Sequence, residues 1–289
     1  MALTTFQKII LSVFIWFGAA ILWLWFVAAT SCPTFEVSDL ETLVHQAVKD
    51  FPGLPGDDTQ QYLDATRYYE SEITDGKNGR IANADLIEAY RVECLLAFIA
   101  QRFREKYPKD AVKDSKWCIN EVGSVYARQL ILIANPREYV CLWGSVLEQE
   151  GFGGAYGGNL DEGDVMITSQ MESSDPESKR AAPRTYLFGD TSLLKPYRRR
   201  HYHLGKNCYM MSFCVHAKSN LIFAFFPGII LPYLFENHDT ISFKIQMGDA
   251  LKGFRMWLSH QMERKEVVAA LILLFILKII VILQIVKQK

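Results

Sequence analysis

Several residue clusters in this chain have types and spacings that suit chemistry. Asp161, Glu162 and Asp164 stand just before the apolar run Val165-Met166-Ile167, so one of the three could point into a barrel; a solvated turn is the reading the sequence favours. His201-Tyr-His203 would put both imidazoles on one face of a strand, a pattern that suits a metal. No carboxylate follows within several residues of Leu204, and His216 and His238 contribute only if the fold brings them close. The expectation is therefore no metal and no cofactor. The glycines at 151, 153, 154, 157 and 158 match neither phosphate-loop spacing and follow no βαβ unit, so they read as a turn between strands. Arg198-Arg199-Arg200 reads as a solvated loop, and a formal net charge of −1 argues against a nucleic-acid partner. Six cysteines include no CxxC pair and read as buried thiols; Cys208 and Cys214, six apart, could share a strand face.

These side chains must be positioned by the middle of the chain. Val37–Phe51 reads as an amphipathic helix opening at a Ser38–Glu41 capping box and stopping at Pro52-Gly53. Gly53–Asn83 is polar, with a helix expected around Asp58–Glu72. Ala84–Tyr107 has Leu86, Ile87, Tyr90, Cys94, Ala97 and Phe98 at helical spacing, ended by Pro108. Ile119–Ala134 reads as a second, buried apolar helix. From Glu138 the texture changes to short apolar runs: Tyr139–Leu147, Val165–Ser169, Thr185–Phe188, Cys208–Val215 and Leu221–Phe226. Such runs predict an antiparallel barrel or sandwich between about Glu138 and Phe235, with Gln170–Arg184 as a solvent loop.

Both ends of the 289-residue chain are apolar. Ile9–Ala29 has 21 residues without a charge, long enough for the ~30 Å hydrocarbon core and about twice the length of a signal-peptide apolar region. Lys8 before it and Glu36, Asp39 and Glu41 after it orient the N-terminus to the cytosol or matrix. Val267–Val286 is the second segment. It contains Lys278, whose charge costs roughly 3 kcal/mol at that depth and calls for a lipid or protein partner. Leu251, Phe254 and Trp257 recur at spacing three just before it, which predicts a membrane-surface helix with Trp257 at headgroup depth.

In order along the chain, the residues resemble the sigma-one receptor and the fungal sterol delta-eight isomerases. Arg137-Glu-Tyr139-Val-Cys-Leu-Trp-Gly144 is similar to that family's SEYVLLFGT segment, and Gly151, Gly154 and Tyr156 to its G-H-S-G-x-Y continuation. Ile21–Phe26 followed by Phe35 resembles the end of its N-terminal anchor, and Trp117–Tyr139, with Asn120 and Gly123, its small-residue helix. Gly205-Lys-Asn207-Cys-Tyr-Met210 resembles its G-P-N-T-W-M strand and Ala250–Arg255 its late A-R-G-L-R helix. The Gly53–Asn83 insertion and the lysine-bearing last helix are extra.

The resemblance implies a cupin-like antiparallel β-barrel with flanking helices and an N-terminal transmembrane helix, usually trimeric; with the extra C-terminal hydrophobic helix, the expected fold class is an α+β membrane protein. The expected organisation is an anchor at 1–31, a helical region at 32–136, the barrel at 137–246, a surface helix at 247–265 and a transmembrane helix at 266–289. In the family, a barrel glutamate partnered by an aspartate binds a cationic amine or stabilises a sterol carbocation. By resemblance the aspartate falls on Asp164, or on Glu162; the aromatic falls on Tyr139; the glutamate falls on Ser212, beside Tyr209; and a family histidine falls on Leu194. A serine cannot supply that charge. The expected function is therefore a non-catalytic, sigma-receptor-like accessory subunit of a membrane complex. The alternatives are a receptor for a lipid or sterol-like ligand, or a working sterol isomerase. The implied partners are membrane lipids and other subunits, or a homotrimer. The implied location is the endoplasmic reticulum, with the mitochondrial inner membrane as the alternative.

Overall fold

The computed structural model describes residues 5–54, 83–122, 124–154, 160–174, 182–194, 199–216 and 240–287. The helix expected around Asp58–Glu72, the strand Leu221–Phe226, His238 and the side chains of Asp161 and Lys278 lie outside the described residues.

Among the described residues, ten strands form two antiparallel sheets. The larger has the order β1 (Cys118–Val122), β2 (Val125–Ala134), β3 (Glu138–Ser145), β10 (Cys208–His216), β5 (Leu160–Thr168) and β8 (Thr191–Leu194). The smaller has the order β4 (Gln149–Gly154), β9 (Arg199–Leu204), β6 (Met171–Ser174) and β7 (Arg184–Tyr186). Side chains alternate between the faces of each strand. Val125 and Ala127 of β2, Met166 of β5 and Cys208 and Met210 of β10 meet Met171, Tyr186 and Leu204 of the smaller sheet, forming an inner core. The opposite face of the larger sheet, with Leu130, Leu132, Val140, Leu142, Val165, Tyr209, Met211 and Phe213, is covered by two helices.

Those helices are α2 (Val37–Asp50) and α3 (Asn83–Lys106). Leu40, Leu43, Val44 and Ala47 recur at helical spacing and are buried, which places one stripe of α2 on the sheet. The helix opens two residues earlier than the Ser38–Glu41 pattern predicts. Its N-cap is Glu36, whose N–H donates to Asp39 Oδ2 at 3.1 Å, while the Ser38 carbonyl already accepts from the Thr42 hydroxyl. Pro108 follows the end of α3 as expected.

The main correction is at 118–134, where a hairpin, β1–β2, replaces the predicted helix. The helices cover one face of β2 and the barrel interior covers the other, so every residue from Leu130 to Ala134 is buried. A strand buried on both faces loses its two-residue alternation and reads as a continuous apolar run. The sheet structure therefore begins at Cys118 rather than at 137. Two further loops are strands: Gly151–Gly154 belongs to β4, and Met171–Ser174 is β6.

Helix α4 (Thr240–Gln261) starts before the expected 247 and shields the edge strand β1. Ile119 N–H donates to Ser242 Oγ at 2.9 Å and Ile119 O accepts from Gln246 Nε2 at 3.0 Å. An open sheet edge is thereby satisfied. A Cβ at Gly253 would stand 2.5 Å from Ala134 O, so only glycine lets α4 approach β2 this closely. Trp257, expected at headgroup depth, is buried against Val27 and Ala28 of α1 (Thr5–Thr30) and Val267 of α5 (Lys265–Lys287). The helix presents the opposite edge outward, with Leu251 exposed. Among the described residues no helix is long and apolar enough to cross a membrane.

Candidate functional site: an acidic pair on the inner face of the barrel

The register of the larger sheet draws two rungs across its inner face. One joins Leu194, Glu162, Cys214 and Tyr139; the next joins Ser192, Asp164, Ser212 and Cys141. Glu162 and Asp164, two residues apart on β5, therefore project together, about 7 Å apart by the strand rise. The solvated turn expected at 161–164 is a central strand instead. It is polar because its neighbours on β10 and β8 supply hydroxyls.

Ser212 Oγ donates to Asp164 Oδ1 at 2.6 Å. The serine and the aspartate thus occupy facing positions, as the assignment of Ser212 and Asp164 by resemblance requires. Arg200 stands beside them: Nη1 donates to Ser192 Oγ at 3.0 Å and Nη2 to Leu193 O at 2.5 Å. Burial raises the Asp164 carboxyl to about 6, with the Ser212 hydrogen bond and the Arg200 charge pulling the other way. Burial raises Glu162 further, to about 8, and the charge of Asp164 adds to the effect. At neutral pH the pair therefore carries one proton on Glu162 and one negative charge on Asp164, which the Arg200 guanidinium offsets.

Tyr139, expected in the pocket, is on the inner face at the end nearest α4. Its hydroxyl accepts from Gln129 Nε2, and burial holds its pKa well above the usual range. Burial also raises the thiols of Cys141 and Cys208, the latter to about 12, so both stay protonated and are poor nucleophiles. Cys208 and Cys214 share a strand face, as their spacing suggests, with Cys208 in the inner core.

Two expectations fail here. Tyr209 was placed in the pocket, but its odd position on β10 points it to the outer face. There its hydroxyl accepts from Arg128 Nη2 at 2.7 Å, and Arg128 bridges to Glu93 at 2.9 Å. Arg200, read as part of a solvated loop, lies on β9. The alternation that puts His201 and His203 on one face puts Arg200, Tyr202 and Leu204 on the other, a signal available in the sequence. His203 faces outward to Glu148 and Glu150, at 3.0 and 3.1 Å. Among the described residues no cluster suits a metal ion.

The protonated Glu162 gives a stability signature. Below about pH 4.5 the unfolded chain also keeps this proton, and burial costs no ionisation. As pH rises the unfolded chain loses the proton while the folded chain holds it until about pH 8. Stability therefore falls between pH 4.5 and 8, by up to about 5 kcal/mol. Thermal melts of the wild type should show that decline, and Glu162→Gln should flatten it. An equally steep decline in the variant would contradict the assignment.

Several solved structures are similar to part of the chain. KdgF from Halomonas sp. is similar over 35% of this chain and 87% of its own, at 12% identity and a TM-score of 0.29. The cupin domain of Schizosaccharomyces pombe Cnp3 is similar over 35% and 71%, at 11% identity and a TM-score of 0.27. A cupin superfamily protein from Desulfitobacterium hafniense covers 31% and 76%, at 10% identity and 0.26. No curated protein matches the chain in sequence. The family described as "ERG2 and Sigma1 receptor like protein" matches residues 59–244, a span that contains every barrel strand. This chain belongs to that family.

Proposed function

We propose that this chain is a non-catalytic, membrane-anchored member of its family whose barrel binds a neutral sterol-like or lipid ligand rather than a cationic amine. The observation that carries the reading is the 2.6 Å hydrogen bond from Ser212 to Asp164, formed where the family resemblance calls for a glutamate–aspartate pair. One carboxylate offset by Arg200 leaves little net charge to attract an ammonium or a carbocation. A neutral Glu162 is instead a hydroxyl donor, suited to a ligand alcohol or carbonyl. Met166 and Met210 line the same inner face and offer adaptable apolar contact.

Anchoring is supported by the uncharged run Ile9–Ala29 of the sequence and by uncovered apolar surface on α1 and α5. Phe14, Phe17 and Leu22 of α1 and Leu273 and Phe275 of α5 are exposed. Apolar patches of this extent need a covering. The family points to the endoplasmic reticulum membrane; the mitochondrial inner membrane is the alternative.

The test uses the full chain in phospholipid nanodiscs. A fluorescent sterol alcohol should bind saturably, hydrophobic tertiary amines should show no submicromolar binding, and delta-eight sterols should not be isomerised. Submicromolar amine binding or sterol turnover would overturn the reading. A second role, accessory subunit of a membrane complex, is favoured by Ser212 together with Lys278 within an apolar helix. A native mass with several different subunits supports that role, and a lone homotrimer removes it.

A further inference from the structure

A cavity lies where α1 ends, α3 ends and α4 turns into α5. Its volume is about 660 Å³. Thr30, the last residue of α1, and Glu266, in the first turn of α5, both line it. On the membrane reading above, on which this inference rests, the cavity sits where two apolar helices leave the hydrocarbon and meet the polar domain.

The lining is of mixed charge. Lys106, Lys109 and Arg264 supply cations, while Asp110 and Glu266 supply carboxylates. Arg264 is held by Glu266 at 2.8 Å and by Gln261 at 2.9 Å; Lys106 reaches Asp39 at 3.1 Å. Trp257, buried against α1 and α5, gives an apolar floor. The most informative group is Tyr107. Its residue is 8% exposed, it lines the cavity, and its hydroxyl lies beside the Lys106 ammonium, with no acceptor for its own proton among the described residues. A buried hydroxyl proton without an acceptor is unfavourable, so its retention points to an absent acceptor. Beside the cavity, Phe26 and Leu22 of α1 are exposed and lead away along the helix, as acyl chains would.

We propose that this cavity binds the headgroup of a zwitterionic phospholipid. The phosphodiester meets the Tyr107 hydroxyl and the Lys106, Lys109 and Arg264 cations, and the headgroup ammonium meets Asp110 or Glu266. Both charges of the lining are then used, whereas an anionic lipid without an ammonium leaves the carboxylates opposed to it.

The test is thermal unfolding of the detergent-solubilised full chain with added phosphatidylcholine, backed by native mass spectrometry of retained lipid. Tyr107→Phe removes only the hydroxyl beside Lys106, a group that donates to no acceptor, so without phospholipid its melting should stay close to that of the wild type. With phosphatidylcholine its apparent affinity should be about five- to tenfold weaker, the loss of one phosphate hydrogen bond. Arg264→Gln should weaken it similarly, and phosphatidylglycerol should stabilise the wild type less. Equal stabilisation of the wild type and both variants overturns the site. Equal stabilisation by free phosphocholine overturns the lipid assignment in favour of a soluble phosphate ester. Release of the chain from membranes by alkaline carbonate refutes the anchoring itself, independently of the variants.

Discussion

Ser212→Glu should create affinity for hydrophobic tertiary amines, at least about a hundredfold above the unmodified chain. The Ser212 oxygen already lies 2.6 Å from Asp164 Oδ1, so a glutamate at 212 brings a second carboxyl to the same place. Two carboxyls in contact share one proton and keep one negative charge. With Glu162 neutral, that single charge is the one Arg200 already offsets, so the gain comes when a bound ammonium displaces the shared proton and both carboxylates face it. A buried ionic contact is worth about 3–5 kcal/mol when one partner is removed, or roughly two to four decades of affinity. Restoring the partner should regain a large part of that. Ser212→Gln has the same shape without the charge and should gain nothing. Calorimetric titration of one amine into the three proteins decides the matter. If Ser212→Glu folds, melts cooperatively and still fails to bind, the acidic pair is not the feature that selects cations. The same variant should melt at a lower temperature without ligand, because a further buried carboxyl has been added, and recover on binding amine.

Gly144→Ala should be the most damaging single-methyl change in the barrel. Gly144 lies in β3 between Arg128 of β2 and Tyr209 of β10. A Cβ there would come 2.2 Å from Cys208 O, 2.7 Å from Tyr209 Cα and 2.6 Å from Tyr209 Cδ1. Two of those atoms are backbone of a central strand and cannot swing aside. The Tyr209 ring leans over the space that the missing side chain leaves, with Trp117 edge-on at 6.4 Å and Arg128 bonded to its hydroxyl. A methyl group would displace the ring, loosen the Arg128–Glu93 bridge and separate β3 from β10. Overpacking of this kind costs about 3 kcal/mol, and the thermal midpoint should fall by about 10 °C. A midpoint within about 2 °C of the wild type would mean that the strands part without penalty and that this close approach is not structural.

Local sequence was sufficient where an element has one buried face. Leu40, Leu43, Val44 and Ala47 show the period of α2 because its other side meets solvent, and α3 ends before Pro108 for a reason contained in that one residue. The runs at Tyr139 and Cys208 read as strands because they are short and bounded by turn residues. Asp164, Ser212 and Tyr139 became site residues through resemblance to a family. That carried Asp164 and Ser212 to facing positions, although nothing within either segment says that the two strands pair.

Other features depended on which surfaces meet in three dimensions. The segment 118–134 contains no periodic signal because helices bury one face of β2 and the barrel interior the other. Which face of β10 looks inward was equally undetermined from the segment alone, since both faces are apolar. The structure sends Tyr209 outward to Arg128 and leaves Ser212 inside. Glu162 and Arg200 are ordinary charged residues in the sequence. Burial beside Asp164 makes the first a neutral acid, and the β9 register makes the second its counter-charge. The sequence by itself determined α2, α3, the strands at Tyr139 and Cys208, the apolar ends and the family, because these follow from residue types and short-range spacing. The tertiary structure alone decided which charges share the barrel interior and in what protonation state, because pairing and desolvation come from residues distant in the chain.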